Sequence, residues 1–143
     1  MGQLTLANAN QIIAAALDAA RQQSLRPMAI VVVDNDGHIK AVQREDHASM
    51  ARVDIARGKA WAAVSMGASS RALMERAKEN PTFFQALAVA HQGKFIPQTG
   101  AVLIRADDGH IVGAVGASGG SGDEDEAICL AGLVSAGFNG SAT

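Results

Sequence analysis

The chain has 143 residues, a formal net charge of -2, 18% charged residues and 48% hydrophobic residues. That is enough for one domain with a core of its own, spanning 1–143, without disulfides or a structural metal. Aromatic residues make up only 3%, with no Tyr and no basic excess, so the stacking platforms and cationic footprint of a nucleic-acid binder are both missing. The single cysteine, Cys129, excludes an intramolecular disulfide and a multi-cysteine zinc site. No charged start leads into an apolar run, and no run approaches the roughly 20 residues that span a bilayer. The expectation is a soluble, cytoplasmic protein with no nucleic-acid or membrane partner.

From Thr5 to about Gln23, the apolar positions Leu6, Ala9, Ile12, Ile13, Ala16, Leu17 and Ala20 recur every three or four residues, which predicts an amphipathic helix with Thr5 as N-cap. Met28 to Val33 is a continuous β-branched run that suits a strand covered on both faces. Asn35-Asp36-Gly37 then turns the chain into the alternating segment His38 to Arg44, forming a hairpin. Helical spacing returns over 50–66. Ser69 or Ser70 caps a short helix to about Lys78, and Pro81 opens a turn or helix to Ala90. A second hairpin joins Ala101–Arg105 to Ile111–Ala117 through Asp107-Asp108-Gly109, and a last helix runs from about Asp123 to Ala136, stopped by Gly137. This order predicts an α+β protein with a mainly antiparallel sheet. A fifth short strand near Lys94 to Ile96, or an oligomer contact, would cover an otherwise open edge. The alanine-rich helices favour a homo-oligomer.

The turns DNDGHI and ADDGHI resemble each other, yet each glycine leads straight into an alternating strand. A calcium loop would continue to further oxygen ligands and a distant Glu. In ASGGSGDEDEA, residues 117–127, Ser121 and Glu124 have the spacing of a capping box. The acids that follow complement a helix dipole and would repel phosphate. Ser118, Gly119 and Gly120 leave backbone room for a ligand or a neighbouring chain.

Arg44 and Lys59 are candidates to clamp a carboxylate, and equally read as parts of a solvated rim. Asp46 and His47 stand beside Arg44 as candidate proton carriers. His91, near a helix end, is a candidate haem-iron ligand or proton carrier, and equally reads as a capping or surface residue. Cys129, between Ile128 and Leu130, reads as a buried small hydrophobe in an acidic field unsuited to a nucleophile.

Taken together, the segments around REDHASMARVDIARGKAWAA and VGAVGASGGSGDEDEAICLAG resemble the GlcG/HbpS family of haem-binding-like proteins, which includes the C-terminal domain of PduO-type adenosyltransferases. The likeness extends over nearly the whole chain. Arg44, Asp46 and Ala48 match the family's R-x-D-G-A segment, and Lys59, Ala60 and Ala63 match its K-A-x-T-A segment. The most specific part is Ser118-Gly119-Gly120 followed by Asp125-Glu126. Three departures stand out: His47 replaces a Gly, Ala62 replaces a Thr, and the usual G-G-x-P-I reads Gly100-Ala101-Val102-Leu103-Ile104.

The resemblance implies a profilin-like, five-stranded sheet flanked by helices, a dimer-based oligomer up to an octamer, and binding of haem or a related tetrapyrrole as small-molecule ligand. On that reading Arg44 or Lys59 meets propionates, His47 and His91 are the candidate iron ligands, and Ser118, Gly119, Gly120 and Asp125 belong to the ligand site. The rival reading is a small catabolic enzyme acting on a carboxylate or carbonyl metabolite. There Arg44 and Lys59 would anchor the acid, and Asp46 or His47 would move the proton.

Overall fold

The computed structural model describes residues 3–140. Helix α1 (Leu6–Gln22) starts where Thr5 accepts the Asn8 amide, and the Asn8 side chain accepts the Thr5 amide in return. This reciprocal pair satisfies two of the four amides that every helix start leaves without partners. Strands β1 (Ala29–Asp34) and β2 (Ile39–Arg44) form the first hairpin, and α2 (Ala51–Met66), α3 (Ser70–Glu79) and α4 (Pro81–Ala90) follow. Strands β3 (Ala101–Arg105) and β4 (Ile111–Ser118) form the second hairpin, and α5 (Gly122–Ser135) closes the described chain. Ser69 is the cap of α3, whereas Ser70 is buried and both accepts from the Ala101 amide and donates to the Ala101 carbonyl, tying α3 to β3.

The sheet has four antiparallel strands in the order β2-β1-β4-β3. The expected fifth strand near Lys94 to Ile96 does not form. That segment instead lies against α2, where the Ile96 amide donates to the Gly58 carbonyl at 3.2 Å. A backbone donor spent on a helix carbonyl is lost to a sheet ladder, so β2 and β3 remain the edges.

β1 is covered on both faces, as its unbroken apolar run predicts. Ile30 and Val32 pack with α1 and α5, through Ile12, Ile13, Ala16, Ile128 and Leu133. Val31 and Val33 pack with Ala56, Ala60 and Ala63 of α2. The small residues on α2 let it ride close to β4. A Cβ on Gly116 would lie 2.3 Å from the Ala56 carbonyl oxygen, so only glycine fits beneath the helix there. A third, smaller cluster of Ala62, Leu73, Phe84 and Phe95 holds α3 and α4 against α2. No helix among the described residues is long and apolar enough to cross a membrane.

Candidate functional site

The pairing register sets the site. Ala29 lies opposite Arg44 on one side and opposite Ser118 on the other, so these three side chains leave the same face of the sheet. It is the α2 face, since Val31 and Val33, two and four residues on, pack against that helix. The cleft beside Ser118 opens on this face, lined by α2, whereas the cleft beside Arg44 lies at the end of β2 next to Leu17 and Arg21 of α1.

The first cleft, about 490 Å³, is lined by Leu17, Arg21, Pro27 and the run Gln43 to His47. Much of its charge is already committed. Arg21 pairs with Glu45 at 2.9 Å and donates to the Leu25 and Arg26 carbonyls, while Glu45 also accepts the Met28 amide at 2.8 Å. Arg44 donates through Nη1 to the Ala48 carbonyl at 2.6 Å. Asp46 and His47 are exposed. His47 has φ of 72°, a left-handed conformation that glycine adopts freely and other residues adopt at a cost of about 1–2 kcal/mol. The glycine of the family pattern and the positive φ found here have one explanation: the chain must turn left-handed at this point. An imidazole is held there against that preference.

The second cleft, about 420 Å³, is lined by Arg52, Ile55 and Lys59 of α2, Met74 of α3, Gln98 and Thr99 before β3, and Ser118 with the start of α5. Its floor is a buried ion pair. Lys59 Nζ lies 3.1 Å from Asp125 Oδ2 and donates to the Ala117 carbonyl at 3.0 Å, with the two side chains 7% and 2% exposed. Asp125 also accepts the Gly120 amide at 2.9 Å, which fixes the glycine loop to α5. Charges this dry persist only when such bonds replace lost water. Gly100 makes room for the ammonium: it has φ of 137°, and a Cβ there would lie 2.5 Å from Lys59 Nζ. Cys129 lies beside this floor, its Sγ 3.7 Å from the Gly100 carbonyl. Burial first, and the Asp125 charge second, push its thiol pKa far up, which suits a packing residue rather than a nucleophile.

At the rim, Arg71 of α3 grips Glu126 with both Nε and Nη2 and also binds Asp123. The two carboxylates raise the guanidinium pKa further, chiefly through the Glu126 hydrogen bond. Ser121 and Glu124 form the capping box that their spacing predicts.

The candidates therefore separate. Arg44, Asp46 and His47 share the first cleft; Lys59, Ser118, Gly120 and Asp125 share the second. A joint carboxylate clamp of Arg44 and Lys59 is not assembled. Gly119 packs against its own chain, since a Cβ there would meet the Pro27 carbonyl oxygen at 2.4 Å. The His91 ring lies 4.8 Å from Trp61 and 5.9 Å from Phe95, centroid to centroid, at the C-terminal end of α4. Arg52 and Thr99 were not among the sequence candidates. Arg52 had a readable signal, because Arg52, Ile55 and Lys59 fall on one helical face; Thr99 had none.

Comparison with known proteins agrees with this architecture. No curated protein is significantly similar in sequence. Among solved structures, a PduOC–haem complex superposes with a TM-score of 0.85 at 26% identity, covering 96% of this chain and 97% of that one. Klebsiella pneumoniae ORFY gives 0.85 at 26%, covering 95% and 92%. A double mutant of Streptomyces reticuli HbpS gives 0.79 at 30%, covering 94% and 87%. The family model described as haem degrading protein HbpS-like matches residues 4–134, and the chain belongs to that HbpS-like family.

Proposed function

We propose that the protein binds haem or a related tetrapyrrole in the first cleft, with His47 as iron ligand and Arg44 as partner for a propionate. The observation that carries this reading is the presence of an imidazole and a guanidinium on one cleft, the imidazole on a left-handed backbone. Imidazole is a usual protein ligand for haem iron, and a guanidinium pairs with a carboxylate through two parallel hydrogen bonds. Membership of a haem-related family, and likeness to a protein solved with haem, support it. Bound haem would supply iron-centred ligand and redox chemistry. Among the chain's own residues, Leu17 and Pro27 offer apolar contact and Glu45 holds Arg21 in place. This wall suits one side of a flat macrocycle, so the reading includes a homo-oligomer in which a second chain covers the other side. His91 is the weaker ligand candidate because its ring is packed against Trp61 and Phe95.

Titration with haemin, followed by absorption and oligomer mass, tests the proposal. A saturable, shifted Soret band is expected, lost in His47→Ala, kept in His91→Ala, and reached about tenfold less tightly in Arg44→Gln. A band that survives His47→Ala overturns the ligand assignment. The absence of any saturable band overturns the haem reading itself.

A further inference from the structure

The second cleft has donors left over. Ser118 is 1% exposed; its hydroxyl accepts from Arg52 at 3.2 Å, and among the described residues it donates to no acceptor. Thr99 is 4% exposed, and its hydroxyl points only at the Met74 sulfur, 3.5 Å away. A thioether is a weak acceptor, easily exchanged for a better one. Arg52 completes the set. Its guanidinium bonds to the Ser118 hydroxyl and, among the described residues, to no carboxylate.

The acids nearby do not serve it. Asp125 is taken by Lys59, and Asp123 shares Arg71 with Glu126. Asp123, Asp125 and Glu126 thus each have a cation or a share in one, while Arg52 has only a neutral partner. Buried donors without acceptors are costly, and a fork of N–H groups matches a carboxylate in shape and charge. Ile55 and Met74 line the same space and offer apolar contact. The volume, about 420 Å³, lies within the range of small-molecule sites, roughly 300–1,000 Å³.

We propose that this cleft is a second, separate binding site for a small monocarboxylic acid, its carboxylate held by Arg52 with the Ser118 and Thr99 hydroxyls and its short apolar tail set against Ile55 and Met74. Lys59 and Asp125 act as positioning residues. They fix the Ala117 carbonyl and the Gly120 amide, and so hold the loop that carries Ser118. The site does not depend on haem binding in the first cleft, so either can fail while the other stands.

Butyrate is the probe, with butylammonium and 1-butanol as controls that share its tail but differ in charge. Amide chemical shifts of the ¹⁵N-labelled protein report both the place and the strength of binding. Butyrate is expected to shift the amides of residues 118–122 saturably, and butylammonium to leave them still. Arg52→Gln should weaken butyrate about tenfold or more, as loss of a charge-assisted pair does. Thr99→Val, nearly the same shape, should weaken it a few-fold. Lys94→Gln, which removes an exposed charge elsewhere, should change nothing. Equal shifts from butylammonium or butanol, or butyrate binding unchanged in folded Arg52→Gln and Thr99→Val, overturn the proposal.

Discussion

The two clefts flank one sheet, the first beside α1 and the second beside α2, and they treat charge in opposite ways. In the second, Lys59 and Asp125 are nearly dry and each makes two bonds to the protein, and the backbone around them is shaped to fit: Gly100 at φ of 137° and the Gly120 amide on Asp125. In the first, Asp46 and His47 stand in water, and the unfavourable feature is the backbone itself, with a histidine at φ of 72°. Burial makes the second cleft part of the fold's stability. Exposure leaves the first free to carry a group chosen for chemistry, at a local conformational cost. The contrast predicts that changes in the buried floor of the second cleft, Lys59 and Asp125, read out as stability, and changes at His47 in the first as binding.

The largest effect is expected at the buried pair. Asp125→Ala leaves the Lys59 ammonium without its counter-charge in a site that excludes water, which costs about 3–5 kcal/mol. Replacing both partners by apolar residues of similar size, Lys59→Met with Asp125→Leu, removes that orphan charge and should recover most of the loss. Urea denaturation of the three proteins decides it. If the single variant loses less than about 1 kcal/mol, water reaches the pair and the contrast between the clefts collapses.

A pH-dependent effect of middle size belongs to the same floor. Burial and the Asp125 charge raise the Cys129 pKa in the folded protein, whereas in the unfolded chain the thiol ionises near its ordinary value of about 8.5. The unfolded state therefore sheds its proton first as pH rises. Stability from this source is intact below about pH 8.5 and falls above it by up to about 1.4 kcal/mol per pH unit. Denaturation curves at pH 7.5 and 9.5 should separate in the native protein by more than in Cys129→Ala. Equal separations would mean that the thiol ionises in place, and that the floor is wetter than its packing implies.

What was legible in the sequence was mostly local. Thr5 as N-cap, and Ser121 with Glu124 as capping box, act through contacts three residues apart, and the two Asp-Gly turns specify hairpins through their own backbone preferences. The double burial of β1 was legible because an unbroken β-branched run suits few other environments. Lys94 to Ile96 misled because its amide goes to Gly58, a partner fixed by tertiary packing. The second cleft was half legible. Lys59, Ser118 and Asp125 could be singled out, and Arg52 lay on the same helical face as Lys59, but the pairing of Lys59 with Asp125 spans 66 positions. The separation of Arg44 from Lys59, and the arrival of Thr99 in the cleft with Lys59, depend on the path of the whole chain.

The smallest expected effect is also the one with the opposite sign. His47→Gly releases a left-handed strain of about 1–2 kcal/mol, set against the roughly 0.5–1 kcal/mol that glycine's freedom adds to the unfolded state. The variant should therefore be as stable as the parent or more stable by up to about 1.5 kcal/mol, measured by the same urea titration. It should also lose the haemin Soret shift. A gain in stability joined to a loss of binding is what a residue kept for its imidazole produces, because strain persists at a site when the group it presents is used. A loss of more than about 1 kcal/mol would instead make the ring a packing element, and the first cleft would then resemble the second.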